Sequence, residues 1–192
     1  MMLTLLAAGQ SHRFGDQDKL TALLGGKMLG LHAAAAAADL PFTRKLVIGS
    51  PRHGCAAQWS ALGYEIIANE DAAQGQATSV RLAAAQAIES GASALCIMLA
   101  DMPFVTRAHI DRMIAAFAES GGTVASSRHG LAMPPAIFPF AALQPLTALA
   151  GDSGARKMLA DARLVAATEP LLMDIDTEED LTRANFIYNN SR

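Results

Sequence analysis

The sequence predicts an α/β fold organised on one mostly parallel sheet. Three observations predict it. Short apolar runs alternate with helix-forming stretches through most of the chain, the pattern of strands joined by crossover helices. Two of those runs, Leu3-Thr4-Leu5-Leu6 and ALCIML over 94–99, are almost continuously apolar, as strands covered on both faces require. Polar clusters follow several runs directly, at the strand ends where open α/β sheets bind ligands.

The first strand breaks into Ala7-Ala8-Gly9, and the polar loop beyond carries Arg13 and Lys19, six residues apart. Small residues let backbone N–H groups approach a ligand closely, and two fixed cations just beyond can hold phosphate oxygens. The stretch matches neither GxGxxG nor GxxxxGKS/T, so the dinucleotide fold and the P-loop lose support. It reads as a cradle for a nucleoside triphosphate.

Gly25-Gly26 marks a tight reversal. His32–Asp39, with six consecutive alanines, is expected to be helical and to stop before Pro41. Lys45–Gly49 is the second strand, Arg52–Leu62 a helix anchored by Trp59, and Tyr64–Ala68 the third strand. Asn69-Glu70-Asp71 sits at that strand's carboxyl end, and Gln74-Gly75 leads into a helix over Ala77–Ser90. Asp101-Met102-Pro103 follows the strand over 94–99, and Thr106 is a good N-cap for a helix to about Glu119. Further strands are expected at Thr123–Ser127, at Ala136–Phe138 after two prolines, at Leu164-Val165 and at Leu171–Met173. Residues 140–149 read as mixed and Asp152–Asp161 as helical. Thr177-x-x-Asp180 opens a last helix through Tyr188 in the manner of a capping box. With no linker, repeat or charge run, residues 1–192 are read as a single domain.

The bulk numbers narrow the function. Hydrophobic residues make up 52% of the 192 and charged residues 17%, which is globular rather than disordered. A net charge of −3 argues against a general nucleic-acid binder, which carries a basic patch. It also argues for a metal ion if the substrate is polyanionic. Cys55 and Cys96 lack CxxC spacing and read as reduced core thiols. The N-terminal apolar run is too short for a signal peptide, and no run approaches the ~20 residues of a membrane span. A cytoplasmic location is therefore expected, without membrane or nucleic-acid partners.

Four polar clusters are placed to converge: Gly9 to Lys19, Asn69 to Ser79, Asp101, and Asp174-Ile175-Asp176. Asp101 suits a hard cation such as Mg²⁺, which takes one or two carboxylates plus substrate phosphates; the competing reading is a helix cap or an Asx turn before Pro103. Asp176 and Asp174 are candidates for the second carboxylate, because strand neighbours two apart share a face; the competing reading is that Asp176 caps the last helix. Asn69 and Ser79 offer groups that read a base edge or a ribose, and Gly75 gives close approach. His53, His109 and His129 show no partner pattern and read as solvent or turn residues. A serine-based triad and a nicotinamide site both lack their motifs.

LAAGQSHRFGDQDKL, NEDAAQGQATSV, LADMPFVT, GDSGARKML and DIDTEEDL occur in this order over nearly the whole chain. In these segments the sequence resembles the MobA/MocA-like nucleotidyltransferases, and the last two resemble the molybdenum cofactor cytidylyltransferases. The resemblance implies a three-layer α/β/α Rossmann-like fold, an NTP-dependent activity and a divalent metal, Mg²⁺ or Mn²⁺. It implies that Leu6, Ala7, Ala8 and Gly9 meet the base and phosphates, that Arg13 and Lys19 meet the phosphates, and that Asn69, Gly75 and Ser79 meet the nucleoside. Asp101 and Asp176 would hold the metal. The guanylyl branch resembles LAGG where this chain has LAAG; the methyl of Ala8 narrows the floor and favours CTP. The implied acceptor is a phosphorylated molybdopterin-type compound, and a molybdoenzyme or its maturation factor is the implied protein partner. One segment departs: family members carry a GxPGHP-like stretch where this chain has Gly130-Leu131-Ala132-Met133-Pro134-Pro135, without the histidine. Transfer to another phosphorylated acceptor, or cofactor delivery without catalysis, are the competing functions.

Overall fold

The computed structural model describes residues 1–9, 14, 18–149 and 157–190. Nine strands are described. β1 (Met2–Leu6), β4 (Arg44–Gly49), β5 (Glu65–Ala68), β6 (Ala94–Leu99), β7 (Val124–Arg128), β8 (Leu131–Pro139) and β9 (Arg163–Ala166) form one sheet in the order β5-β4-β1-β6-β8-β7-β9, while β2 (Leu23–Leu24) and β3 (Lys27–Met28) form a separate hairpin. β5, β4, β1 and β6 are mutually parallel, β8 is antiparallel to β6 and β7, and β9 is parallel to β7. The sheet is thus mostly parallel with β8 reversed.

Alternate residues of the central strands divide between two cores. Leu3, Leu5, Val47, Cys96 and Met98 face one; Met2, Leu6, Leu46, Ile48, Leu95 and Ile97 face the other. The first core is closed by α1 (His32–Ala37), α2 (Ala56–Ala61), α4 (Arg107–Ser120) and α6 (Glu178–Asn190), the second by α3 (Gln76–Glu89) and α5 (Phe140–Thr147). The result is a three-layer α/β/α sandwich. Alanines dominate both helix–sheet seams: Ala33, Ala34 and Ala37 on α1, and Ala77, Ala83, Ala84 and Ala87 on α3. A small residue brings the helix close to the sheet while favouring the helix itself. Trp59 is fully buried and donates its indole N–H to Gly30 O at 2.8 Å.

Several expectations are corrected. β8 begins at Leu131, five residues before the expected strand, and runs through both prolines. Its register explains how: Ala125 and Ser126 are adjacent on β7 but oppose Ala136 and Met133. Pro134 and Pro135 occupy the bulge between, where no N–H is needed. Residues 171–173 are not a strand; Leu171 and Met173 donate to Thr168 O and Pro170 O in successive turns, while Leu172, Met173 and Ile175 plug the first core. A run of apolar residues buried from a loop leaves the same sequence trace as a short strand. Residues 140–147 form a full helix. The helix expected from Arg52 starts only at Ala56, because the Cys55 N–H is taken by the His53 ring, a local bond that competes with helix. Most of the helix expected over 152–161 lies outside the described residues.

The β2–β3 hairpin turns on Gly25 and Gly26, both at positive φ (57° and 82°). α6 latches onto it. Asn185 accepts the Gly25 N–H at 3.1 Å and donates to Leu23 O at 3.3 Å, and the Tyr188 ring lies where a Cβ on residue 25 would stand. Cys55 and Cys96 are buried and free, with burial pushing their thiols up to about 11 and about 12. Among the described residues no helix is long and apolar enough to cross a membrane.

Candidate active site

The ladder between β4, β1 and β6 continues past the strands: Ala7 N donates to Ile48 O and Ala100 N to Leu6 O. These bonds set residues 7–9 and Asp101 side by side at the carboxyl end of the sheet. A cavity of about 280 Å³ opens there, lined by Leu6, Ala8, Gly9, Leu99 and Asp101 from these strand ends and by Ala72, Ala73, Gly75, Gln76 and Ser79 from the opposite wall. A Cβ built on Gly9 would meet nothing within 4 Å, so the room above it is open to a ligand.

The opposite wall is the start of α3. Gly75 is its N-cap at φ 106°, and no side-chain cap is made there. That conformation suits glycine. An uncapped helix start presents N–H groups and the positive end of the helix dipole to the cavity.

Lys19 follows Asp18, whose carboxylate accepts the Leu20 N–H and caps a 3-10 turn over Lys19–Thr21. From that turn the Lys19 ammonium reaches Asp101 Oδ2 at 2.7 Å and Asp176 Oδ1 at 2.8 Å. The three residues come from positions 82 and 157 apart in the chain. Asp176 arrives on a loop, not a strand. Ile175 N donates to Asp101 O at 3.0 Å, tying that loop to the end of β6. Asp180 Oδ2 accepts from Asp176 N, Thr177 N and Thr177 Oγ1, and Asp180 N donates back to Thr177 Oγ1. This is the reciprocal capping box, so the cap is Thr177 with Asp180. The Asp176 carboxylate is turned to Lys19 instead. Asp101 likewise caps no helix: α4 is capped by Thr106.

Burial pushes the Asp101 carboxyl up, against the pull of Lys19, and Asp176 and Asp174 add to the rise. Burial alone would lower the Lys19 ammonium; Asp101 and Asp176 reverse this and leave it above its ordinary value. Asp101 Oδ1 is buried with no hydrogen-bond partner among the described residues. A buried carboxylate oxygen without a partner is expensive, and it is the hard donor a divalent cation takes.

The remaining sequence candidates divide. Leu6, Ala8, Gly9, Gly75 and Ser79 line the cavity, whereas Ala7 is buried behind it. Asn69 is used within the fold: its amide donates to Thr78 Oγ1 at 2.9 Å and Ser79 Oγ at 2.8 Å, and its Oδ1 accepts the Asp71 N–H. It shapes the α3 wall and is not among the lining residues. Asp174 is exposed, and its expected shared face with Asp176 falls with the strand. Arg13 lies outside the described residues. The departing segment 130–135 is the last residue of the turn after β7 and the first five residues of β8; β6 pairs with β8 only from Ala136 on, and Met133 packs against the first core.

Two histidines read as solvent residues are held inside. His109 bonds Ser126 Oγ at 2.8 Å and accepts from Arg112 at 3.0 Å. His53 pairs with Asp18 at 2.5 Å. The His109–Ser126 and His53–Asp18 bonds have no sequence-spacing signal, whereas His109 and Arg112 stand three apart on one helix, the spacing of facing side chains. Asp18 was visible as a short polar residue before Lys19, the N-cap pattern.

Residues 3–168 match the family model described as the MobA-like NTP transferase domain. The chain belongs to that family. Among the family's relatives, purine catabolism protein PucB of Bacillus subtilis (strain 168) is 32% identical over 190 residues, covering 91% of each chain. A molybdenum cofactor guanylyltransferase of Cereibacter sphaeroides (strain ATCC 17029 / ATH 2.4.9) is 30% identical over 187 residues, covering 94% of this chain and 93% of its own. In fold, a manganese complex of Rv0371c from Mycobacterium tuberculosis H37Rv superposes with a TM-score of 0.76 at 22% identity, over 96% of this chain and 97% of that one.

Proposed function

We propose that this chain transfers a nucleotidyl group from a nucleoside triphosphate to a phosphorylated acceptor, with CTP as donor and a molybdopterin-type cofactor as acceptor, in the cytoplasm. One observation carries the transfer reading. Lys19, Asp101 and Asp176 meet within hydrogen-bonding distance beside the Gly9 cavity, which joins a phosphate-binding cation, a pair of hard oxygen donors and an uncapped helix start.

The donor set fits a divalent metal. Asp101 Oδ1 is a buried oxygen without a partner among the described residues, and Asp176 stands on the same ammonium. Among the described residues no three acidic, His or Cys side chains could hold a metal on their own, so substrate oxygens would complete the coordination, as magnesium sites commonly require. Rv0371c, with the same fold, is known as a manganese complex. Asp101 and Asp176 would hold the ion, and Asp174 would add charge from outside. Bound there, the ion supplies Lewis-acid neutralisation of phosphate oxygens.

The chain's own residues do the rest. An acceptor phosphate oxygen attacks the α-phosphorus in line; that P–O bond forms as the α–β bridging P–O bond breaks, and pyrophosphate leaves with the electron pair. A phosphate monoester is already anionic near neutral pH, so no general base is needed. Catalysis is positioning plus charge stabilisation. Lys19 offsets charge on the phosphates, the α3 start and residues 8 and 9 present N–H groups, and Leu6 and Leu99 line the cavity.

Ala8 lines the cavity, and its methyl supports the smaller pyrimidine. Molybdenum cofactor guanylyltransferases are among the relatives, so the base is tested directly. Purified chain is offered CTP and GTP with Mg²⁺ and a panel of molybdopterin and sugar phosphates, and pyrophosphate release is scored. Ala8→Gly is expected to shift preference toward GTP by about tenfold, the scale of one misfitted methyl group; an unchanged ratio removes the base assignment. Absence of pyrophosphate with every pair favours the delivery reading.

A further inference from the structure

Three consecutive residues after β4 grip the turn that carries Lys19. His53 Nε2 pairs with Asp18 Oδ2 at 2.5 Å. Gly54 lies against Thr21, where a Cβ would come within 2.6 Å of the Thr21 methyl. Cys55 Sγ donates to Leu20 O at 3.3 Å. Of the four residues from Asp18 to Thr21, Lys19 is the one whose side chain is left to point at the carboxylates.

The His53 ring is itself fixed. Its Nδ1 accepts the Cys55 N–H at 3.0 Å, so the ring proton sits on Nε2 and is donated to Asp18. The ring also packs on Trp59, centroids 4.8 Å apart, and its side chain is 9% exposed. The same bond is the main reason the Asp18 carboxyl lies below its usual range. Asp18 then accepts the Leu20 N–H with its other oxygen. A three-residue 3-10 turn has little stability of its own. The line Cys55 N–H, His53, Asp18, Leu20 N–H therefore sets where the Lys19 backbone stands.

We propose that His53 is a positioning residue for Lys19, acting through Asp18 to hold the ammonium at the phosphate end of the cavity. This rests on the nucleotidyl-transfer reading, in which Lys19 meets the triphosphate.

The test uses the whole chain and titrates CTP and CMP with Mg²⁺ by calorimetry, with thermal unfolding followed alongside. His53→Ala is expected to weaken CTP by on the order of tenfold, as small misplacements of a binding group do, and to leave CMP, which lacks the β- and γ-phosphates, nearly unchanged. In a Lys19→Met background, His53→Ala is expected to weaken CTP no further while lowering the melting temperature as before. A purely structural role would give the same loss in both backgrounds, and that result overturns the proposal; so does wild-type CTP affinity in His53→Ala. Should His53→Ala not fold, two milder variants separate the bonds. The amide of His53→Gln reproduces the donor to Asp18 and is expected to retain CTP affinity. His53→Asn reproduces only the acceptor for Cys55 and is expected to lose it; the reverse order overturns the proposal. If Lys19→Met alone binds CTP like wild type, the nucleotidyl-transfer reading itself fails.

Discussion

The two halves of the sheet are built by different means. β5, β4, β1 and β6 run one way under helices on both faces, and their shape follows from apolar burial and a regular ladder. β8, β7 and β9 contain a reversal and a bulge, and a polar interior network holds them: Arg112 to His109, His109 to Ser126, Ser126 Oγ to Pro135 O. Topology alone puts the cavity, Gly9 and Asp101 at one end of the parallel half. The reversed half offers no such rule, and its contribution, Asp176, is delivered by a loop pinned by the Ile175–Asp101 bond and the Thr177–Asp180 capping box. A site can thus be half dictated by architecture and half by particular contacts.

The sharpest way to break the comparison is at the carboxylates. Asp101→Ala is expected to lower turnover by roughly a thousandfold, with the fold intact by circular dichroism; activity within tenfold of wild type would show that the parallel half does not supply the reacting centre. The next test loads the reversed half. His109 is held down to about 4 by burial, with Arg112 adding to it, so the folded chain keeps it neutral while an unfolded one protonates near its ordinary 6.5. Stability is present above about 6.5 and is lost as pH falls toward 4, by about 3 kcal/mol at full linkage. Denaturant unfolding at a series of pH values reads this, and His109→Gln should flatten the slope. Ser126→Ala removes the hydroxyl that links His109 to Pro135 and should cost about 1–2 kcal/mol with turnover unchanged. A loss of turnover instead would mean that the two halves are coupled. The smallest effect is expected at Asp174. Asp174→Asn should change turnover by less than about threefold, as fits an exposed charge; a loss matching Asp101→Ala would make it a ligand.

The same division governs what could be read in advance. Strands at 94–99 and 45–49, the alanine helices and the Thr106 cap were legible because one local rule decides each. The nearness of Gly9 and Asp101 was legible because strand ends in a parallel sheet share an edge, whereas Lys19 reaches Asp101 from a 3-10 turn that this rule does not place. The β8 prolines were misread because a bulge is a property of two strands together. Residues 171–173 were misread because a plugging loop and a strand leave the same apolar trace. Asn69 has the right chemistry to meet a nucleoside, and only the structure reveals that both N–H groups of its amide are spent on Thr78 and Ser79. His53 and Asp18 lie 35 positions apart in the sequence, and no spacing rule joins them.

The clasp between α6 and the β2–β3 hairpin has a consequence for how the protein is made. Synthesis runs from the amino terminus, so a ribosome releases Lys19 long before Asp176, 157 residues later. Asp101 follows Lys19 by 82 residues, so from then until Asp176 is made the nascent chain has one of the two carboxylates to offer the ammonium. Asp176 stands two residues before the final helix, which seats on Gly25 through Asn185, so the docking of that helix and the arrival of the second carboxylate are expected to go together.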